Sequence, residues 1–198
     1  AGRYWHTDMS YLKKPALGSM LYARAVSAEA GDTMFCDMTA ACRDLPPDMR
    51  QKLMRLRAVH HFASRWAREQ EKSGMRPAQT KEEQDRDPPV EHPMIRTHPE
   101  TGEPALYAGG FAVRIAGLPE GESQVLLDWV EKWVTQPKYV YRHRWQRHDL
   151  VFWDNRRVMH HATVYPEHQR RHMHRTTVKG DAPFLDPQYL ARALSSTP

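Results

Sequence analysis

The sequence predicts a mainly β fold with helical decoration, an antiparallel barrel or jelly roll. Three observations predict it. The last third of the chain reads as short alternating or apolar segments separated by turns, two more such segments lie before residue 40, and only two stretches carry a clear helical period. At 198 residues, with 40% hydrophobic residues, the chain suits one domain over 1–198 with a core of its own.

Taken in order, Trp5–Tyr11 reads as extended chain and Ser19–Val26 as a strand. Gly31-Asp32-Thr33 is a turn running into a short strand, Met34–Asp37. Pro46–Arg57 is the clearest helix, opened by prolines, with Met49, Leu53, Met54 and Leu56 roughly on one face. Arg68–Pro93 is rich in Lys, Glu, Gln, Asp and Pro without apolar periodicity; it is expected to be a long mobile loop, a solvated insertion or a lid over a site. A second helix is expected over Glu120–Thr135, with Val125, Leu126, Trp129, Val130 and Trp133 at helical spacing. Tyr139–Trp145 alternates, and Asp149–Trp153 is a short apolar strand entering the turn Asp154-Asn155-Arg156. His161–Tyr165 and Arg171–Lys179 are further strand candidates.

Composition excludes several classes. No apolar run reaches the roughly 18 residues of a membrane span, and no signal-peptide pattern is present. Two cysteines outside any Cys-x-x-Cys pair exclude a disulfide scaffold or cysteine zinc cluster, and a cytoplasmic location is expected. The net charge of +5 favours an anionic partner. Basic residues are scattered among acids, the local exception being Gln169–Arg175, so a small anionic molecule is expected rather than nucleic acid.

His6-Thr7-Asp8 is the first motif that carries chemistry. Residues two apart in extended chain point to one side, so the imidazole and the carboxylate converge. His160 is the best candidate for a third ligand. Two imidazoles and one carboxylate leave octahedral positions open, the facial triad of non-haem Fe(II) oxygenases. The tripeptide alone is weak, since a surface or hydrogen-bonded pair is the commoner outcome. Arg171 and Arg175 strengthen it. In a strand they share a face with Met173 while His172 and His174 face away. Guanidiniums beside a metal call for a dicarboxylate co-substrate and an anionic primary substrate.

The chain resembles the Fe(II)- and 2-oxoglutarate-dependent dioxygenases of the taurine dioxygenase / 2,4-dichlorophenoxyacetate dioxygenase family. The resemblance rests on WHTDMSY (Trp5–Tyr11), GDTMFCDM (Gly31–Met38), RTHPETGEPALY (Arg96–Tyr107), GGFAVRI (Gly109–Ile115), YRHRWQRHDLVFWDNRRVMHHAT (Tyr141–Thr163) and RRHMHRTTVKGD (Arg170–Asp181), in the family's order. It implies a double-stranded β-helix (a cupin-like jelly roll) and iron held by His6, Asp8 and His160, with His161 pointing away. It also implies 2-oxoglutarate held by Thr33 and Arg171, a substrate anion met by Arg175, and Phe111 in an aromatic pocket wall. Trp153, Asp154, Asn155 and Arg156 resemble the turn that fixes His160; Arg114 and His98 match family positions without an assigned role. The implied activity consumes 2-oxoglutarate and O2, releases succinate and CO2, and hydroxylates a small anion. An aryloxyalkanoate is the expected substrate, with taurine or another alkylsulfonate as the alternative. A metal-binding module without turnover is the alternative of another class. A homo-oligomer is expected. Family members carry a substantial segment before the His-x-Asp motif, so the amino-terminal portion is expected to be missing from this chain.

Overall fold

Strand β1 (Ala16–Ala25) is the longest in the computed structural model, which describes residues 3–27, 30–64, 80, 82, 88–166 and 168–195. After it come β2 (Thr33–Asp37), α1 (Met38–Arg43), α2 (Pro47–Met54), β3 (Arg57–His60), β4 (Val90–Pro93), β5 (Ile95–Thr97), β6 (Pro104–Leu106) and β7 (Ala112–Ile115). Helix α3 (Glu120–Val134) leads through a short 3₁₀ turn (Pro137–Tyr139) to β8 (Val140–His143), β9 (Leu150–Asp154), β10 (Val158–Ala162), β11 (His172–Lys179) and α4 (Pro187–Ser195). The strands pair in the orders β11-β1-β9, β10-β2-β8, β4-β3-β7 and β5-β6, and every pair is antiparallel. The expected jelly roll is the fold.

Two of the sheets form the walls of the site. In β10-β2-β8 the register sets Met159 opposite Cys36 and His160 opposite Phe35. Side chains alternate across a strand. Cys36 and Met159 therefore enter the core with Leu53, Leu126, Val130 and Val134 from the helices. Phe35 and His160 face the other way, toward β9, where the Phe35 ring lies 5.5 Å from Trp153. Both thiols are free and buried, and burial pushes Cys36 and Cys42 up to about 12.

Local chemistry explains the helices. Asp37 caps α1, its Oδ1 accepting from the Thr39 and Ala40 amides at 2.9 and 3.0 Å. Pro47 opens α2 and Asp48 lies in its first turn. In α3, Ser123, Leu126, Val130 and Val134 form the buried stripe. Val125, placed on the apolar face from spacing, is instead 71% exposed: the helix turns its stripe toward α1 and β7, and one step of about 100° carries Val125 out.

Other expectations shift as well. Trp5–Tyr11 is extended only around His6, and the chain turns from Asp8 to Tyr11 with Met9 in the left-handed region at φ 57°. The strand expected at His161–Tyr165 lies earlier, at Val158–Ala162, because its register with β2 places the histidine pair at its centre. Most of the loop expected over Arg68–Pro93 falls outside the described residues, but its last four residues are strand β4, pairing with β3. Strands β3, β5, β6 and β7 are short and were not legible as alternating segments. No helix among the described residues is long and apolar enough to cross a membrane.

Candidate metal centre and adjoining cavity

His6 and His160 come from opposite ends of the chain and meet in an isolated antiparallel bridge. The Gly110 amide donates to the Trp5 carbonyl at 2.8 Å, which lays residues 4–6 along the segment before β7. Any side chain at position 110 would run into Tyr4, an added Cβ meeting its ring at 2.5 Å, so only glycine permits that approach.

Asp8 completes the group. Its Oδ1 lies 3.6 Å from His6 Nε2 and 3.5 Å from His160 Nε2. One donor atom from each residue falls within 4.8 Å of the others, and all three residues are buried. The His6 Nδ1–H donates to the Tyr4 carbonyl at 2.8 Å, so the Nε2 lone pair faces the centre. Burial lowers the His6 pKa, and burial with the neighbouring His6 lowers His160 to about 3, so both imidazoles are neutral. Burial raises the Asp8 carboxyl, but His160, Arg175, His6 and the Ser19 hydroxyl outweigh it, and its pKa lies below the ordinary value. Neutral imidazoles and an ionised carboxylate, without thiolate, fit a divalent first-row ion that keeps open positions.

Behind Asp8 runs a hydrogen-bond chain that sequence reasoning missed. Ser19 Oγ donates to Asp8 Oδ2 at 2.7 Å and accepts from Asn155 Nδ2 at 3.2 Å. Asn155 Oδ1 accepts from Trp153 Nε1 at 3.0 Å and from the Asp8 amide at 3.4 Å. The Trp-Asp-Asn-Arg turn therefore supports the aspartate directly, while the Trp153 ring lies 4.9 Å from that of His160. The turn is itself anchored. Asp154 accepts from His98 at 3.0 Å and from Arg156, and Arg156 reaches Glu100 at 2.7 Å.

The group opens into a cavity of about 470 Å³ between the two facing sheets. The residues expected to hold metal, co-substrate and substrate line it: Thr33, Phe111, Arg171 and Arg175 join His6, Asp8 and His160, while His161 does not. The alternation expected in β11 holds, since Arg175 lines this cavity and His172 and His174 face a different one. Trp145 Nε1 donates to Thr33 Oγ1 at 3.0 Å, which leaves the threonine hydroxyl hydrogen to donate elsewhere. Arg171 stands beside Tyr165, 5.7 Å from its ring centre. Gly31, at φ +90°, makes room for it: an added Cβ would meet the Arg171 side chain at 3.3 Å. Arg175 Nη2 reaches Asp8 Oδ2 and lies 3.4 Å from Ser19 Oγ. Phe111 packs edge-on against Tyr4, Tyr11 and His6, with ring centres 5.0–5.9 Å away, and stacks on Phe62. It belongs to the core and lines the cavity at once. Tyr4, Tyr11 and Phe62 were not read from sequence, because only the folded chain assembles them around Phe111.

Two histidines and one carboxylate of a jelly roll, opening onto a cavity lined by arginines, form a candidate mononuclear non-haem metal centre. The family profile described as "Taurine catabolism dioxygenase TauD, TfdA family" matches residues 1–177, and the chain belongs to that family. It is 39% identical over 195 residues to an alpha-ketoglutarate-dependent 2,4-dichlorophenoxyacetate dioxygenase of Burkholderia sp. (strain RASC), an alignment covering 95% of this chain and 62% of that protein. Among solved structures, AAD-2 in complex with Mn(II) and N-oxalylglycine superposes with a TM-score of 0.84 at 35% identity, over 93% of this chain and 71% of that one. A taurine dioxygenase from Burkholderia xenovorans superposes with a TM-score of 0.77 at 30% identity, over 93% of this chain and 60% of that one. The chain thus spans 62% of the length of the 2,4-dichlorophenoxyacetate dioxygenases that it matches.

Proposed function

We propose that this chain carries the catalytic centre of an Fe(II)- and 2-oxoglutarate-dependent dioxygenase. It hydroxylates a small anionic substrate, an aryloxyalkanoate of the 2,4-dichlorophenoxyacetate kind, and releases succinate and CO2. One observation carries the reading: the buried His6, Asp8 and His160 open onto the same cavity as Thr33, Arg171 and Arg175.

His6 Nε2, Asp8 Oδ1 and His160 Nε2 are the atoms that would hold the iron. Fe(II) bound there supplies O2 activation coupled to oxidative decarboxylation of 2-oxoglutarate. Ser19 and Asn155 fix the carboxylate, so that Oδ2 is engaged behind while Oδ1 faces the two imidazoles. Arg171 and the Thr33 hydroxyl bind the distal carboxylate of 2-oxoglutarate, which the guanidinium fork suits. Arg175 takes the anionic group of the substrate, exchanging its contact with Asp8 for that ligand. Tyr4, Tyr11, Phe62 and Phe111 supply a wall for an aromatic ring, which favours an aryl substrate. An alkylsulfonate is the second reading, supported by the likeness to the taurine dioxygenase and by a guanidinium's equal fit to sulfonate.

The test screens aryloxy acids and small sulfonates for stimulated succinate formation with Fe(II), 2-oxoglutarate and O2. Aryloxy acids are expected to stimulate most, and His6→Ala or Asp8→Ala to abolish turnover along with iron retention. Substrate-dependent succinate from a His6→Ala protein of normal iron content would reject the assigned ligands. Iron binding without any 2-oxoglutarate turnover would favour a metal-binding module.

A further inference from the structure

The outer face of the β11-β1-β9 sheet carries a second concentration of positive charge, and it plays no part in the reading above. An open cleft of about 680 Å³ is lined by Arg24, Arg147, Arg170, His148, His172 and His174, with Tyr22 at its wall. We propose that this cleft is a second anion-binding site, taking a small oxyanion that carries two or more charges. Alternation separates it from the interior cavity: Leu21 and Arg175 face inward, while Tyr22, His172 and His174 face out.

Two backbone irregularities build the cleft. The pairing of β1 with β11 shifts register between Ala23 and Ala25, and that bulge leaves Arg24 without a partner in the ladder. Bulges of this kind re-aim a side chain. His148 takes φ 74°, a left-handed conformation that costs a non-glycine residue energy and is found at functional sites. Its amide donates to the Ala23 carbonyl at 2.8 Å, and its Nδ1 lies 2.7 Å from the Tyr22 hydroxyl, so the imidazole is held at the wall. Among the described residues no carboxylate lines the cleft. The three guanidiniums, gathered without acids, repel one another, and an anion relieves that repulsion. Guanidinium forks match phosphoryl and carboxylate oxygens alike. The volume falls in the range of small-molecule sites, about 300–1,000 Å³. A small anion is favoured over a nucleic-acid backbone because the other basic residues are interspersed with acids along the chain.

The experiment is calorimetric titration of the metal-free protein with inorganic pyrophosphate, and in a second arm with citrate. A saturable site distinct from the interior cavity is expected. Arg24→Gln and His148→Gly should each raise its Kd about tenfold, and Arg171→Ala, which alters only the interior cavity, should change it by less than about twofold. Glycine keeps the backbone conformation of position 148, so a loss there reports the imidazole and not the turn. Tighter binding of pyrophosphate identifies a phosphoryl ligand, and tighter binding of citrate a carboxylate one; either supports the site. Absence of saturable binding to both probes overturns the proposal. So does loss of binding in Arg171→Ala with none in Arg24→Gln, which would place the anion inside. Displacement of the probe by an oligonucleotide, with affinity falling steeply with salt, would make this face a nucleic-acid surface instead.

Discussion

His6 and His160 exchange both backbone hydrogen bonds, at 3.1 and 2.8 Å, across a single antiparallel bridge. Directly opposed residues project their side chains to one side of a sheet. Their imidazole centres consequently lie 4.2 Å apart. The main chain, not a side-chain contact, sets the spacing of the two nitrogen donors, and Asp8 is left to be positioned by other means.

Ser19 is the means. Replacing it with alanine removes one hydrogen bond from Asp8 and one from Asn155 inside a fully buried environment. Ser19→Ala should cost about 1–3 kcal/mol in urea unfolding. It should also weaken Mn(II) binding about 10–100-fold by calorimetry. Unchanged metal affinity would mean that Asp8 is held adequately by its neighbours alone.

Arg171 and Arg175 should separate kinetically. Arg171→Ala is expected to raise the KM for 2-oxoglutarate by about one to two orders of magnitude, as loss of a charge-assisted contact worth about 1.5–3 kcal/mol implies. Thr33→Val should raise it less, in proportion to a single hydroxyl. Arg175→Ala should act mainly on the KM of the primary substrate. The reverse pattern in steady-state kinetics would exchange the two assignments.

Gly31 tests whether backbone conformation serves the co-substrate. Gly31→Ala places a Cβ in a left-handed conformation and against the Arg171 side chain. A loss of about 1–2 kcal/mol of stability is expected from the backbone alone. Weaker 2-oxoglutarate binding should accompany it, because Arg171 must shift. Stability lost with unchanged binding would confine the role of the glycine to its turn.

The Asp154 network predicts acid sensitivity. Burial raises this carboxyl, but hydrogen bonds from Arg156 and His98 outweigh it and bring the pKa from 3.8 down to about 2. The unfolded chain therefore takes up the proton first as pH falls. The stabilisation is complete above about pH 4 and is lost as pH drops toward 2, amounting to about 2 kcal/mol. Urea unfolding of the wild-type chain and Asp154→Asn should differ most above pH 4, and the gap should close by pH 2. A gap independent of pH would place the stabilisation in packing.

The sequence was informative wherever chemistry is local or periodic. His-x-Asp, the alternation that puts Arg171 and Arg175 on one face and His172 and His174 on the other, and helices α2 and α3 were readable, because each depends on neighbours a few residues away; α1 and α4, of six and nine residues, were not read. Strands β3 to β7 were not, since segments of three or four residues are too short to display an alternation, and β5 is buried throughout. Only the tertiary structure decided that His160 pairs with His6, that Ser19 and Asn155 stand behind Asp8, and that Tyr4, Tyr11 and Phe62 gather around Phe111. Those relationships join residues from distant parts of the chain through strand register. Register is set by the whole pattern of burial and pairing, so no local stretch of sequence encodes it.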